Sequence, residues 1–344
     1  MPAFGRTGEM TGIHESPADQ ALPCHRRRQG LSGERNEENS DARLLAIGEC
    51  MVELGDAGSG LLRKGFAGDT LNAAYYARTY LPTPFDVAYL SAVGTDLLSE
   101  EMLAFMVEKG IVTEDVRQIE GGAPGLYMIH LKDGERSFSY WRSASAARRL
   151  ADDAAHVRSA IEKADTIVFS GITLAILSPD ARETLILELR RGRAAGRRVV
   201  FDPNIRPRLW EDAATLRSVV EAGARAATVL LPSFDDEQAH FGDADPEATI
   251  ARYRQWGAET ILVKNGSGEA RLADGAGDIV GIAPPKVETV VDTTSAGDSF
   301  NGAFLAKLLT GVAPAEAAAF AARVAAAVIA HHGALVPPAH LPQP

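Results

Sequence analysis

A carboxylate follows three small residues near the C-terminal end of the chain, in Ser295-Ala-Gly-Asp298. The apolar run at residues 287–291 predicts a strand before this segment, and an Ala- and Leu-rich run predicts a helix after it. Backbone N–H groups at a helix start are unpaired and lie at the positive end of its dipole, so they can hold an anion. A carboxylate beside such a site suits phosphoryl transfer, with Asp298 accepting the proton of the acceptor. A capped helix with an acidic first turn explains this pattern equally well.

The loop at residues 202–210 carries further candidate binding groups after a predicted buried strand. Pro203 and Pro207 exclude a helix there, so the loop is fixed at the strand end. An arginine such as Arg206 can fork onto a substrate carboxylate, while Asn204 faces a phosphate or a metal-bound water. A surface loop whose arginines pair with nearby carboxylates is the alternative.

Two other segments suit a polar ligand. In Tyr140-Trp-Arg142, on a predicted hairpin strand, two aromatic rings precede the guanidinium of Arg142, which suits a polar ligand with a flat face. Such a triplet more often reflects ordinary packing of side chains on a strand. The small residues of Asn265-Gly-Ser-Gly268 allow a nucleotide to approach closely, and a plain hairpin turn explains them equally well.

Several common catalytic motifs are absent from the sequence. It contains neither G-x-x-x-x-G-K-[ST] nor G-x-G-x-x-G, which argues against phosphate-loop NTPases and dinucleotide-binding enzymes. It contains no H-E-x-x-H and no C-x-x-C, and the pair His331-His332 suits a helix end better than a metal site. A zinc enzyme is therefore not expected.

Composition narrows the function classes further. The net charge of −11 over 344 residues opposes a general nucleic-acid surface, which needs a basic face. A small anionic ligand is still allowed, because a few arginines can dominate the local field. The two cysteines form no disulfide framework and fit a reducing cytoplasm. Charged residues and histidines interrupt the most Ala-rich stretch, so no membrane span is expected.

Strand and helix patterns alternate from residue 43 onward and predict an α/β fold. A mostly parallel central sheet would carry helices on both faces, with a small β lid near residues 55–68, 86–92 and 125–142. Ligands bind at the carboxyl ends of such strands, where most candidates fall: Glu53, Asp202, Asn204, Ser233, Lys264 and Asp298. Residues 1–42 lack an apolar run, which predicts no signal peptide and either a disordered extension or a start codon placed too early, and residues 43–344 form one domain.

From about residue 44 onward the sequence resembles the ribokinase-like (PfkB) carbohydrate kinases. The most specific matching block is Asp292-Thr-Thr-Ser-Ala-Gly-Asp298, and the others lie at residues 48–54, 65–72, 125–127, 140–142, 170–177 and 202–210. The blocks at residues 171–177 and 206–210 are similar to the subgroup that acts on keto-deoxy sugar acids.

This resemblance implies a ribokinase-like fold and phosphorylation of 2-keto-3-deoxygluconate to 2-keto-3-deoxy-6-phosphogluconate, with ATP and Mg²⁺. It implies that Asp298 is the general base and that the helix N-terminus at residues 295–298, from Ser295 through Ala296 and Gly297 to the Asp298 backbone, is the anion hole. The matching substrate positions are Gly68, Tyr127, Tyr140, Arg142, Arg206 and Asp298. The nucleotide positions are Asn204, Ser233, Lys264, Gly266 and Gly268, and the acidic motif that holds magnesium waters is matched by Asp236 and Glu237. A cytoplasmic homo-oligomer assembled through the lid is also implied.

Three positions depart from the family pattern while keeping its general character. Ala67 stands where a glycine is usual before Gly68, and Ser295 replaces a glycine of the signature. The usual Asn-x-x-Glu reads Ser233-Phe-Asp-Asp236, which leaves the magnesium-side carboxylate open between Asp236 and Glu237.

The helix dipole is expected to lower the pKa of Asp298 and to keep it ionised near neutrality.

Two other functions stay open on the sequence. One is a kinase of the same family for a neutral ketose such as fructose or tagatose, and the other is a catalytically silent relative that binds sugar or nucleotide. Arg142 and Arg206 favour a sugar acid, because a buried carboxylate needs a cation. A plain nucleoside kinase would have no use for these two arginines. The presence of Asp298 argues against a catalytically silent relative.

Overall fold

The computed structural model describes residues 42–132 and 135–344. The predicted extension at residues 1–42 lies outside this part of the chain apart from its last residue. Thirteen strands are described: β1 (Arg43–Ile47), β2 (Met51–Asp56), β3 (Leu62–Ala67), β4 (Asp86–Val93), β5 (Val116–Gln118), β6 (Gly125–Lys132), β7 (Glu135–Trp141), β8 (Thr166–Ser170), β9 (Arg198–Asp202), β10 (Val229–Leu230), β11 (Thr260–Val263), β12 (Ala270–Asp274) and β13 (Val280–Ile282).

Ten α-helices connect these strands within the described residues. They are α1 (Asp69–Tyr80), α2 (Leu97–Glu108), α3 (Ala154–Lys163), α4 (Gly171–Ile176), α5 (Pro179–Ala194), α6 (Ala213–Ala226), α7 (Phe234–Phe241), α8 (Pro246–Gln255), α9 (Ala296–Leu309) and α10 (Pro314–Val328). Short 3₁₀ helices lie at Ala146–Arg149, Pro207–Leu209 and Pro338–His340. None of the described helices is both long and apolar enough to cross a bilayer.

A nine-stranded sheet in the order β13-β12-β11-β10-β9-β8-β1-β4-β5 forms the centre of the domain. Its strands pair in parallel except β12 and β13, which pair antiparallel at one edge. In β1, Leu44 and Ala46 belong to one apolar cluster, while Leu45 and Ile47 belong to another. Because successive side chains of a strand point to opposite faces, helices cover the sheet on both sides, as predicted.

A separate four-stranded sheet, in the order β3-β2-β6-β7, forms the β lid. It rests on α2 through the rings of Phe66 and Phe105, whose centroids are 5.4 Å apart. The prediction that residues 86–92 belong to the lid is wrong, because β4 pairs with β1 in the central sheet. Residues 87–93 are all almost completely buried, which is the pattern of a central parallel strand rather than of a lid.

The strand predicted at residues 287–291 is not present. Residues 283–295 contain no helix or strand, and Val290 and Val291 are exposed. The N–H groups of Val291 and Asp292 donate to the carbonyl of Ile329, beyond the end of α10, instead of to a neighbouring strand. A β-branched run is therefore held here as an extended loop, because it pairs with no strand of the sheet.

Most other predicted elements are found with small changes at their ends. The strands at residues 166–170 and 198–202 have the predicted bounds, and the helix predicted at residues 213–222 continues to Ala226. The six-residue α4 was not predicted, although Ser170 and Thr173 form a capping box at its start. Its single turn and a half is too short to show helical periodicity.

Candidate active site

The signature segment turns sharply into α9 at Ser295, whose φ of 63° is in the left-handed region. Asp292 fixes this turn, since its carboxylate accepts from the N–H groups of Thr294 (2.9 Å) and Gly333 (2.7 Å). The first bond within the helix runs from the Ser299 N–H to the Ser295 carbonyl, at 2.8 Å. The N–H groups of residues 296–298 therefore lie in the first turn of the helix, where the helix dipole favours an anion.

One of the predicted anion-hole donors is already used. The Ala296 N–H donates to the Thr293 carbonyl at 3.2 Å and closes the turn before the helix. The amides of Gly297 and Asp298 have no hydrogen-bond partner among the described residues. The Gly297 and Asp298 amides are therefore available to a ligand, whereas the Ala296 amide is already bonded.

Asp298 lies at the start of α9 and receives a hydrogen bond of 2.8 Å from Asn72 Nδ2 on α1. The two helices approach closely at Gly302, where a Cβ would lie 2.4 Å from the Ala73 carbonyl oxygen. Burial and the nearby charges of Asp69 and Asp202 raise the pKa of Asp298 to about 7, against the opposing effect of the Asn72 hydrogen bond. The expected lowering of this pKa by the helix dipole is therefore wrong, because desolvation exceeds it.

The carboxylates around Asp298 come from separate elements and meet at the carboxyl end of the sheet. Asp69, at the start of α1, accepts from Asn204 Nδ2 at 2.8 Å, and Asp202 ends β9. Both residues line one cavity with Asp298. Asn204 has a φ of 35°, so this loop residue is held in a backbone conformation that few non-glycine residues adopt.

Lys264 supplies the positive charge in this acidic cluster. Its Nζ lies 3.0 Å from Asp202 Oδ2 and 3.1 Å from Asn301 Oδ1. Asn301, on α9, also donates to Asp202 at 2.6 Å, so it contacts both members of this ion pair. Lys264 belonged to the predicted nucleotide group, and the structure bonds it to Asp202 and Asn301, which line the cavity with Asp298.

The other predicted nucleotide residues lie beside Lys264. Ser233 forms a parallel β-bridge with Lys264, and α7 begins at the next residue. Gly266 has a φ of 53°, and the Gly268 N–H donates to the Asn265 carbonyl at 2.7 Å, which closes a tight turn. The strand end, the helix start and the turn thus form one continuous edge next to the acidic cluster.

The two predicted magnesium-side carboxylates face different surroundings. Asp236 Oδ2 accepts from the Ile205 N–H at 3.2 Å and so faces the loop after β9, and burial raises its pKa. Glu237 is completely buried and accepts from Arg252 Nη2 at 2.7 Å and from the Tyr253 hydroxyl at 2.9 Å. Both oxygens of Glu237 are thus bonded to Arg252 and Tyr253, whereas Asp236 faces the loop after β9.

The predicted substrate residues divide between the lid and the loop after β9. Tyr127 is buried and donates to Glu53, whereas Tyr140 on β7 is half exposed. Arg142 forms a salt bridge with buried Glu49 at the base of the lid. Gly68 precedes α1 against Glu49, and a Cβ there would lie 2.1 Å from the Glu49 carbonyl oxygen.

Arg206 lies apart from Arg142. Its guanidinium is more than half exposed, donates to the Ile205 carbonyl at 2.9 Å and lies 3.8 Å from Asp236. Arg148 and Arg208, rather than Arg206, line the same cleft as Arg142. The two arginines that the sequence grouped for one carboxylate are therefore directed to different parts of the site.

Sequence reasoning missed several residues that shape the site. They are Glu49, Asp69, Asn72 and Asn301. Spacing held a usable signal, since Asp69 and Asn72 lie three apart on α1 and Asn301 lies three after Asp298 on α9. Residues at this spacing share one helix face.

Comparisons with known proteins identify the family of this chain. A family model described as pfkB family carbohydrate kinase matches residues 41–340. The chain belongs to the pfkB family of carbohydrate kinases. It is 37% identical over 307 residues to the 2-dehydro-3-deoxygluconokinase of Escherichia coli K12, which covers 87% of this chain and 99% of that protein.

Solved structures with the same architecture include the PfkB protein from Polaromonas sp. JS666. It superposes with a TM-score of 0.74 at 26% identity and covers 84% of this chain and 96% of its own. An Escherichia coli protein described as a ribokinase II, in complex with ATP and Mg²⁺, superposes with a TM-score of 0.75 at 22% identity over 85% of this chain and 94% of its own. The predicted ribokinase-like fold is confirmed. As a pfkB kinase, this chain is a phosphotransferase that binds ATP and a sugar.

Proposed function

We propose that this pfkB kinase transfers the γ-phosphoryl group of ATP to the terminal hydroxyl of 2-keto-3-deoxygluconate. The products are 2-keto-3-deoxy-6-phosphogluconate and ADP. The observation that carries the reaction type is Asp298 beside the two free amides that begin α9, within reach of the charge of Lys264. The substrate is supported by the identity of 37% to a 2-dehydro-3-deoxygluconokinase and by the arginines around the lid base.

Asp298 acts as the general base. A carboxylate is a weak base for an alcohol, so proton transfer runs late, as the phosphoryl group arrives and the hydroxyl becomes acidic. The N–H groups of Gly297 and Asp298 hold the charge that develops on the phosphoryl oxygens, and Lys264 adds a fixed cation. Asn72 orients the carboxylate from the neighbouring helix by its 2.8 Å hydrogen bond.

Asp236 fits the role of holding magnesium through water. Its side chain is partly exposed, one oxygen accepts from the Ile205 N–H, and Oδ1 has no partner among the described residues. Mg²⁺ bound with ATP neutralises phosphate charge and organises the nucleotide phosphates. Within residues 42–132 and 135–344 no cluster of three His, Cys, Asp or Glu side chains could hold a metal directly, which favours a water-mediated ion.

The decisive experiment is a coupled ADP-release assay on the purified protein with a panel of sugars. We expect turnover with 2-keto-3-deoxygluconate and ATP to exceed turnover with fructose or tagatose by orders of magnitude. A preference for a neutral ketose would assign the protein to the alternative kinase group. Absence of ADP release with every sugar would instead favour a binding protein without catalysis.

The raised pKa of Asp298 predicts a pH dependence of the reaction. The base works only when deprotonated, so kcat/KM falls about tenfold for each pH unit below the pKa. Because that pKa is about 7, the acid limb of the kcat/KM profile is centred near neutrality. A limb centred near the ordinary value of an aspartic acid, about 4, would contradict this role for the buried cluster.

Glu49 is expected to control binding of the sugar acid through Arg142. Its carboxylate is buried, and Oε1 has no partner among the described residues while Oε2 pairs with Arg142. Glu49→Gln removes a charge-assisted bond worth about 1.5–3 kcal/mol, so Arg142 loses its fixed direction. We expect KM for the sugar acid to rise about tenfold and KM for ATP to stay unchanged.

The matched control for this variant is Glu101→Gln. Glu101 pairs with Lys64 of the lid strand β3, but both side chains are exposed. Exposed pairs contribute little, so this control should behave like the unchanged enzyme. An unaltered KM for the sugar acid in Glu49→Gln would show that Arg142 needs no such support.

We also propose that the chain forms a homo-oligomer through the lid. Five large apolar side chains are exposed on the lid or next to it, namely Leu61, Leu62, Phe138, Tyr140 and Trp141, and the ring centroids of Phe138 and Tyr140 lie 6.1 Å apart. An exposed apolar patch of this kind is typical of a protein interface. Light scattering after size-exclusion chromatography tests this directly, with Phe138→Ser expected to lower the assembled fraction.

A further inference from the structure

A second cleft lies at the base of the lid, outside the Asp298 cluster. Residues 123–124 and 140–145 line it on the lid side, and Arg148, Arg208 and Leu209 line it on the body side. Its volume of about 580 Å³ is in the range of small-molecule sites. Its lining contains three arginines and no acidic residue, although the whole chain carries a net charge of −11.

Two of these arginines are unpaired. Neither the Arg148 nor the Arg208 guanidinium has an ion pair or a hydrogen bond among the described residues. Arg142 differs, because buried Glu49 holds it. An acidic protein that directs two unpaired guanidinium groups into one cleft has a site for an anion, since like charges repel unless a counter-charge binds.

The backbone holds both arginines in place. Arg148 belongs to the 3₁₀ helix Ala146–Arg149, whose residues Ala146 and Ala147 are almost completely buried. Arg208 belongs to the 3₁₀ helix Pro207–Leu209, which starts at a proline and is followed by buried Trp210. Arg148 therefore extends from a packed turn, while Arg208 extends from an exposed turn that buried Trp210 anchors, so the backbone loses little entropy when a ligand is bound.

We propose that Arg148 and Arg208 are specificity-determining residues that bind the carboxylate end of the sugar acid together with Arg142. This inference rests on the proposed function and assigns its acid-binding residues. Guanidinium forks match the planar geometry of a carboxylate, and the half-exposed rings of Tyr140 and Trp141 border the same cleft. Arg206 lies against Asp236 instead, outside the lining of this cleft.

The test compares Arg148→Gln and Arg208→Gln with the unchanged enzyme. Calorimetry measures the Kd for 2-keto-3-deoxygluconate without nucleotide, and steady-state kinetics measure KM for the sugar acid and for ATP. A charge-assisted bond is worth about 1.5–3 kcal/mol, so each variant should raise the Kd and the sugar-acid KM at least about tenfold. KM for ATP should not change, and Arg208→Lys should recover part of the affinity.

Arg225→Gln is the matched control, because Arg225 is a half-exposed arginine paired with Glu221 on the surface of α6. An unchanged Kd in both cleft variants, or no binding of the sugar acid by the unchanged enzyme, overturns the inference. Binding that depends on Arg148 and Arg208 without turnover supports the inference while the proposed reaction fails. Turnover with unchanged Kd values leaves the reaction in place and removes these two arginines from it.

Discussion

Asp298→Asn is expected to lower kcat by about 10²–10⁴-fold, the usual contribution of a general base. Asparagine keeps the size of the side chain and can still contact Asn72, but it cannot take a proton. The Kd values for ATP and for the sugar acid should change little, because the amides of α9 and the arginines are untouched. Coupled ADP release and calorimetry on the same preparation measure both quantities.

The same variant should be more stable than the unchanged enzyme above neutral pH. The folded-state pKa of Asp298 is about 7, whereas an unfolded aspartic acid titrates near 4. Between these values the folded chain binds a proton that the unfolded chain has released, so stability falls as pH rises through this window. Removal of the charge abolishes that loss, and thermal unfolding at pH 8 should show a higher midpoint for Asp298→Asn.

Asp180→Asn is the control for both readouts. Asp180 also lies in the first turn of a helix, α5, but it is exposed. It should change neither kcat nor the pH dependence of stability. Near-normal turnover in Asp298→Asn would remove this residue from the role of base, whatever happens to stability.

The central sheet was predictable because its strands carry a strong local signal. Residues 166–170 and 198–202 are short apolar runs between polar turns, and they form strands with the predicted bounds. The run at residues 287–291, Val-Glu-Thr-Val-Val, is also rich in β-branched residues but forms no strand. Its N–H groups bond to the carbonyl of Ile329, far along the chain, so pairing rather than composition decides its structure.

In the site, too, some features follow from neighbouring residues in the sequence, while others depend on residues that only the fold brings close. The small residues before Asp298 mark a helix start, and this needs only neighbours in sequence. The raised pKa of Asp298 depends first on burial and then on Asp69 and Asp202, and all three arise only through the packing of separate elements such as α1 and β9. Sequence reasoning considered the dipole alone and so obtained the wrong direction for the shift.

Neighbouring residues can also face opposite surroundings. Asp236 and Glu237 are adjacent in sequence, and one faces the loop after β9 while the other is buried against Arg252. Successive residues on a helix point about 100° apart, so only the placement of α7 separates their roles. The motif alone could not choose between them.

Lys264→Met is expected to lower kcat/KM by about 10²–10³-fold, the effect of removing one preorganised electrostatic donor. Its Nζ lies 3.0 Å from Asp202 and 3.1 Å from Asn301 in the cluster beside Asp298. Loss of this cation also leaves Asp202 with less compensation, which strengthens the negative field at the base. The pKa of Asp298, which Lys264 lowers, should then rise further, and the acid limb of the rate profile should move to higher pH.

That shift separates an electrostatic role of Lys264 from simple structural damage. Lys163→Met is the matched control, because Lys163 lies 3.2 Å from the buried carboxylate of Asp115, which does not line the Asp298 cavity. The Lys163→Met variant should lose some stability and leave the acid limb of the rate profile in place.

The Asp202→Asn variant should move the acid limb the opposite way, to lower pH, since Asp202 is one of the charges that raise the pKa of Asp298. Opposite displacements from one ion pair require that both charges act on the same titrating base, because a loosened fold would move both profiles in one direction.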